Sequence, residues 1–284
     1  MADFTREEIE EKLEEYRELI AAREEEDEFV DGPDEGGVED EDTPDEGGVE
    51  DEDTPDEESA EEKAEGEEEN PDKEENEEPE EETLENIFDE KDLSGLDLSG
   101  LNFHGINLRK TNLKNTNLSG CTLAESNLDQ ANLDQTNLSD ADLENISCLE
   151  GVMTNANMES VNLQGAKLLG TDYSESNLEG ANFRKSKCMQ TKLVNCNLNE
   201  TDFSNSDFSR ANLQDARITN SDLSRARFNS ADFERTNLTD SRLSMGVFFE
   251  ANFKSANLNR ALIKGAKLTG GNFTDAHLPR ADIT

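Results

Sequence analysis

From Leu93 onward a large apolar residue recurs at every fifth position: Leu93, Leu98, Phe103, Leu108, Leu113 and so on to Phe273, Leu278 and Ile283. A step of five from 93 to 283 makes 39 consecutive units without an insertion. Two positions before each centre stands a small or apolar residue, as at Cys121, Ser126, Ala131, Thr136, Ala141 and Ile146; only Lys91 in the first unit breaks this rule. Between these two positions lies a polar residue, most often Asn or Asp. The period is neither the 3.6 of a helix nor the 2 of a strand, so it decides the fold before local propensity does. Two inward positions that are two residues apart make one short β segment. The other three positions are rich in Ser, Gly, Asn and Asp, which form turns. A chain that turns after every five residues coils, and its coils stack through backbone hydrogen bonds into a solenoid. The narrow interior explains the small residue two before the centre.

A different pattern opens the chain. Ile9, Leu13, Tyr16 and Ile20 follow a 4, 3, 4 spacing, a single apolar seam on a helix. Thr5 and Glu8 stand in capping-box positions at its start. Residues 1–32 are therefore read as an N-terminal amphipathic helix whose seam meets a second copy, a partner, or nothing. Residues 83–92 are expected to form a short capping helix that starts at Thr83 and lays Leu84, Ile87 and Phe88 over the first coil. Leu96, Leu101 and Ile106 are large for the small position, which fits a wider first coil under such a lid.

Charge separates the two regions further. The chain of 284 residues has 70 acidic against 26 basic residues and a formal charge of −44. Residues 1–90 hold 46 of the acidic residues and 6 of the basic ones, so nearly all the acidity lies in the first third. Residues 33–82 are built from Asp, Glu, Gly, Pro, Thr and Asn, and repeat DEGGVEDEDTP at 34–44 and 45–55. Such a segment cannot bury enough apolar surface to offset about 1–2 kcal/mol of backbone entropy per residue. A disordered acidic linker is expected there, acting as a tether or as a polyanionic arm. No apolar run reaches the ~18–20 residues of a membrane helix, and no basic-then-apolar leader opens the sequence. A cytoplasmic protein without membrane insertion is expected.

The run ANLDQTNLSDADL at 131–143 resembles the pentapeptide-repeat family, whose motif is A-(D/N)-L-x-x. The resemblance covers residues 93–284. It implies an all-β solenoid: a right-handed quadrilateral β-helix with four units per coil, hence about 10 coils at the ~4.8 Å spacing of paired strands. Residues 20 apart then share one column on one face. On that geometry Cys121, Cys148, Cys188 and Cys196 are all inward, and Cys148 and Cys188 are two coils apart, too far for a disulfide. Four core thiols in a reducing compartment are expected. At the far end the sequence stops at Thr284 with no covering helix, and Pro279 stands in the last coil either to block the edge or to leave it for pairing.

Little in the sequence points to catalysis, metal binding or a cofactor. His104 and His277 are far apart, and neither has a nucleophile to activate. No phosphate loop or HExxH motif occurs. The expected surface says more. Leu149, Leu169 and Met189 are 20 apart and form an apolar column, with Val152 and Val194 around the neighbouring corner: a candidate partner stripe. Lys185, Lys187, Arg225, Arg227, Lys264 and Lys267 fall along one basic edge, a candidate site for a polyanion. Asp140, Asp142, Glu200, Asp202, Asp222 and Asp240 collect on the adjacent edge. The expected function is a non-enzymatic scaffold that binds protein partners, does not bind nucleic acid directly, and can pair through its C-terminal end or its N-terminal helix. The alternative is a DNA mimic that inhibits or protects a type II topoisomerase such as DNA gyrase, as the family's quinolone-resistance members do. The near-neutral repeat region, net −4, departs from that pattern.

Overall fold

A computed structural model describes the backbone of residues 2–28 and 86–282. The acidic linker 33–82, Leu84 and Ile283 lie outside the described residues. Helix α1 spans Arg6–Glu28, and from Asn86 onward the chain winds in repeating five-residue units. No multi-residue strand occurs among the described residues. Instead the polar residue before each centre forms one isolated parallel bridge to the residue 20 positions on, from Asp92↔Asn112 to Leu262↔Asp282. A register of 20 means four units per coil, stacked parallel.

Backbone hydrogen bonding accounts for the five-residue motif. In the unit centred on Leu113, the centre N–H donates to the carbonyl of Asn132 in the next coil at 2.7 Å. The corner N–H of Asn115 donates to Asp134 at 3.0 Å, and the bridging N–H of Asn112 reaches back to Lys91 at 2.9 Å. Thr116 closes the turn by donating to the Leu113 carbonyl at 3.1 Å. Four of the five N–H groups are thus used by backbone. The fifth, on Lys114, donates to the Asn112 side chain at 3.3 Å. That Asx turn is the reason for Asn or Asp at the bridging position. The same arrangement recurs at Ser94 on Asp92, Ser119 on Asn117, Gln214 on Asn212 and Thr274 on Asn272. At His277 the bridging side chain is no Asx, and the residue two further on is Pro279, which has no N–H to satisfy.

Each turn ends on a left-handed residue. All fifth positions from Glu90 to Arg280 have φ between 54° and 75°; nine are glycine and the rest are not. With the closing bond from the next residue, this is a type II turn. A non-glycine residue costs roughly 1–2 kcal/mol in that region, offset at the corners from Glu90 to Arg260 by the N–H bond to the next coil. Asn side chains also bond one another along the stack. Asn117, Asn137, Asn157, Asn177 and Asn197 each donate Nδ2 to the Oδ1 one coil earlier, at 2.9 to 3.3 Å.

Centres and small positions fill the interior, with the centres from Leu93 to Ile263 buried. Phenylalanines at centres 20 apart stack face to face: Phe183 on Phe203, Phe208 on Phe228 and Phe248, and Phe233 on Phe253 and Phe273, with centroids 4.8 to 5.6 Å apart. Small polar residues are satisfied internally. Thr111, Thr116 and Thr136 each donate to a centre carbonyl of the preceding coil at 2.7 to 2.9 Å. Tyr173 is fully buried and its hydroxyl lacks a partner among the described residues, a local cost that its edge contact with Phe183 at 6.1 Å offsets in part.

Of the expected capping helix 83–92, residues 83–85 lie outside the described residues; Asn86 stands in a 3₁₀ turn, and Phe88 serves as a repeat centre: Lys91 closes a turn on its carbonyl, and the corner Glu90 donates to Arg109 in the next coil at 2.9 Å. The repeat therefore begins one unit earlier than Leu93. The lid is α1. Its seam residues Ile9 and Leu13 are buried, Tyr16 and Phe4 pack against the same core, and Phe4 meets Phe88 edge-on at 5.7 Å. Arg6 donates to the carbonyls of Asp97 and Ser99, Arg17 to that of Asn102, and Asp3 exchanges hydrogen bonds with Asp92. Thr5 and Glu8 form the capping box that starts the helix. The seam is thus occupied by the chain's own first coils, which corrects the expectation that α1 offers it for homodimer formation.

Asn137→Ala removes the acceptor for Ser139 and two links of the asparagine column; the expected loss is about 1–3 kcal/mol, read as a lower urea midpoint at unchanged slope. Leu13→Ala is expected to lose about 2–4 kcal/mol of α1 docking, seen as faster amide exchange across Arg6–Glu28 with the central coils unchanged.

Candidate functional site

The four sides of a coil differ. Among the ten bridging positions of each side, Asn or Asp fills eight, eight and seven on three sides. On the fourth they read Ile87, Asn107, Asn127, Ser147, Lys167, Lys187, Asp207, Arg227, Val247 and Lys267, so only three are Asn or Asp. This side holds the partner stripe and most of the basic edge. The bridges Ser147↔Lys167↔Lys187 put Leu149, Leu169 and Met189 in one column on successive coils. Leu169 and Met189 are each 39% exposed, while Leu149 is half-buried. Val152 is exposed on the adjoining side, and Val194 is half-buried there two coils further on. Phe249, 41% exposed, extends the same column, and Met245, 58% exposed, stands at its corner. Phe249 was legible in this column from the sequence but was not counted in the stripe, and Met245 was missed, because a single apolar corner residue carries no signal.

Losing the Asx residue frees a donor. Asp129 compensates at Leu149 by accepting its N–H at 2.8 Å, and Asn229 does so at Phe249 at 3.3 Å. The N–H groups of Leu169 and Met189 have no acceptor among the described residues. The cations lie beside them. Lys185 and Lys187 occupy one coil, Arg225 and Arg227 stand two coils on, and Lys264 and Lys267 two coils further; all are exposed. None of the six forms an ion pair among the described residues. The coil between the first two pairs carries the short side chains Asn205, Ser206 and Asp207, leaving a shallow groove of about 540 Å³ edged by Met189.

The adjacent acidic edge is different: several of its carboxylates are held by arginines. Arg242 meets Asp222 at 3.0 Å, Arg184 lies 3.7 Å from Asp202, and Arg260 grips Asp240 with two nitrogens. The Arg260 hydrogen bond holds the Asp240 carboxyl below its ordinary range. One column away, Arg235 binds Asp215 with two parallel bonds of 2.7 Å.

All four cysteines are buried free thiols. Cys121 and Cys196 donate Sγ–H to the Leu98 and Tyr173 carbonyls at 3.0 and 2.9 Å, the role Thr and Ser play elsewhere. Burial pushes Cys121 up from 9.0 to about 11 and Cys196 to about 12, with Cys148 and Cys188 higher still. His104 and His277 are exposed and sit near opposite ends of the stack. Among the described residues no group of three or more His, Cys, Asp or Glu could hold a metal ion. No helix among them is long and apolar enough to cross a membrane.

With this geometry in view, the chain is a solenoid of 20-residue coils built from five-residue units. Family models agree: one described as pentapeptide repeats in eight copies matches residues 86–115, 111–147 and 247–284, and one described as a pentapeptide repeat region matches 156–243. The chain belongs to the pentapeptide-repeat family. Nothing among curated proteins matches it. Among solved structures it is similar to HetL of Nostoc sp., described as involved in heterocyst differentiation regulation: 28% identity over 67% of this chain and 88% of that one, TM-score 0.48. It is also similar to QnrB1, a plasmid-mediated fluoroquinolone resistance protein, at 12% identity over 63% and 87%, TM-score 0.38. A third is Rfr23 of Cyanothece 51142, at 16% identity over 49% and 91%, TM-score 0.28.

The thiols give a test with a definite sign. Their pKa values are higher in the folded chain than the ordinary 9.0, so the native state holds its protons more tightly. Their contribution is fully present below about pH 9 and declines as pH rises towards 11 to 12. Native protein is expected to resist a thiol reagent at neutral pH and to release four reactive thiols on unfolding. Cys121→Thr, which keeps the donor to Leu98, is expected to change stability by less than about 1 kcal/mol and to soften the alkaline decline in urea midpoint.

Proposed function

We propose that the protein is a non-enzymatic interaction scaffold: a right-handed, four-sided β-helix of about ten coils that presents one sidewall to a protein partner. The carrying observation is the asymmetry of the four sides. Asn or Asp stands at the bridging position in most coils of three of them. On the fourth that residue is replaced in most coils, and exposed Leu169 and Met189 stand in one column beside unpaired cations. A stack held together for stability alone has no use for this substitution, which gives up an Asx turn and exposes apolar surface. Interaction proteins place their contact residues on such rigid elements because little order is lost on binding.

The DNA-mimic alternative is the weaker reading. A mimic needs unpaired carboxylates at regular spacing, whereas Asp222 and Asp240 are engaged by Arg242 and Arg260. It predicts inhibition of gyrase supercoiling by micromolar protein, which the scaffold reading does not.

Affinity capture with the full chain tests the proposal. A specific partner retained by wild type is expected to be lost with Leu169→Asp and Met189→Asp at unchanged thermal midpoint, and kept with Thr239→Asp on another side. Capture that survives both stripe substitutions would remove this sidewall from the account.

A further inference from the structure

Resting on the scaffold reading, we infer that the altered sidewall takes an acidic amphipathic peptide segment of a partner protein, with carboxylates over the Lys185–Arg227 groove and apolar side chains along Leu169 and Met189. Three independent features ask for the same chemistry. The first is charge: Lys185 and Lys187 form one wall of the groove, Arg225 and Arg227 the other, and none has an acidic partner among the described residues. Such cations are not rare at a surface, but elsewhere on this stack Arg235, Arg242, Arg260, Lys192 and Lys254 all reach a carboxylate one coil back. The groove cations do not: Asn205 stands one coil from both Lys185 and Arg225, and the single acid, Asp207, bridged to both Lys187 and Arg227, forms no ion pair with either among the described residues.

The second feature is hydrogen bonding. The Leu169 and Met189 N–H groups lack the Asx acceptor that other coils supply, so this wall offers backbone donors as well as charged ones. A ligand rich in acceptors fits a donor-rich wall, and a carboxylate is the strongest such acceptor. Asp207, whose Oδ1 accepts from the Ser209 N–H and hydroxyl at 3.0 and 2.6 Å, is one carboxylate among four cations, so the groove stays cationic. The third is the apolar strip. A single-stranded nucleic acid would satisfy the charges but would seek aromatic platforms for successive bases; the strip beside the groove is Leu169 and Met189, with a single aromatic, Phe249, one coil beyond Arg227. Aliphatic side chains suit a peptide's Leu or Val. Coils repeat every ~4.8 Å, so a peptide lying along the stack covers both pairs of cations, two coils apart, with a few residues.

The test uses the full chain and fluorescently labelled probes in an anisotropy titration: an alternating Glu-Leu peptide, a poly-Glu peptide of equal length, oligothymidylate, and the chain's own 34–55 sequence as a synthetic peptide. The Glu-Leu peptide is expected to bind at least about tenfold more tightly than poly-Glu or oligothymidylate. Lys187→Glu with Arg227→Glu is expected to weaken it about tenfold and to flatten its salt dependence. Met189→Asp is expected to weaken it without flattening that dependence. The control Lys254→Glu should leave it unchanged. No binding, or equal binding in the double charge reversal, overturns the inference. Preference for oligothymidylate replaces the peptide with nucleic acid, and binding of the 34–55 peptide as tight as that of Glu-Leu makes the chain's own acidic repeat the occupant; both outcomes also overturn it. A partner captured through Leu169 whose binding ignores the charge reversal would leave the scaffold reading standing while this inference fails.

Discussion

The structure depends on one backbone requirement: five N–H groups per unit must all be satisfied while the chain turns a corner. Four find carbonyls, three of them in adjacent coils, and the Asn or Asp side chain takes the fifth. Everything else follows from that allocation. The inter-coil bonds set the register of 20, the register aligns like positions into columns, and the columns make both the phenylalanine stacks inside and the asparagine ladder outside. The left-handed corner is the cost of so tight a turn. It is tolerated at non-glycine positions from Glu90 to Arg260 because each of those corner N–H groups is itself part of the ladder.

A repeat this regular makes departures informative. Sides that keep Asn or Asp are self-contained, since their outer backbone needs nothing further. The side carrying Lys167, Lys187, Arg227, Val247 and Lys267 gives up that economy. Its energetic consequence is local and modest, about one neutral hydrogen bond per coil, so the stack tolerates it. Its chemical consequence is large: cations, free donors and aliphatic surface are brought together over several coils on a wall that does not rearrange. The acidic residues of the neighbouring edge show the contrast. There arginines one coil away close ion pairs with Asp222 and Asp240, and the surface is balanced within itself.

The ends obey the same logic. A stacked ladder leaves unpaired donors and an open apolar section at its first coil. Helix α1 covers that section with Phe4, Ile9, Leu13 and Tyr16 and occupies carbonyls through Arg6 and Arg17. This is a tertiary answer to a need that the five-residue rhythm creates and cannot itself meet.

How much of this was legible beforehand depends on the range of each interaction. The period of five, the inward positions, the buried cysteines and the columns 20 apart were readable, because each unit's environment is made by copies of itself. The Leu149, Leu169 and Met189 column and the basic edge were readable for the same reason, given four units per coil. The destination of the α1 seam was not: Ile9 and Leu13 show only that a helix has an apolar stripe, and their partner lies some eighty residues away in sequence, beyond any periodic cue. Phe88 was read as part of a lid, since Asn86 and Ile87 before it do not fit the small and polar positions of the motif, yet its carbonyl is fixed by Thr111 in the next coil. Which cations stay unpaired also needed the tertiary structure, since Arg227 and Arg242 each follow a bridging Asp by one coil, Asp207 and Asp222, and of the two only Arg242 closes the ion pair among the described residues. Sequence alone determined the repeat and its inward positions, through self-similar neighbours, and the family resemblance implied the columns; three-dimensional packing decided the lid and the chemistry of the exposed wall, through contacts that no repeat encodes.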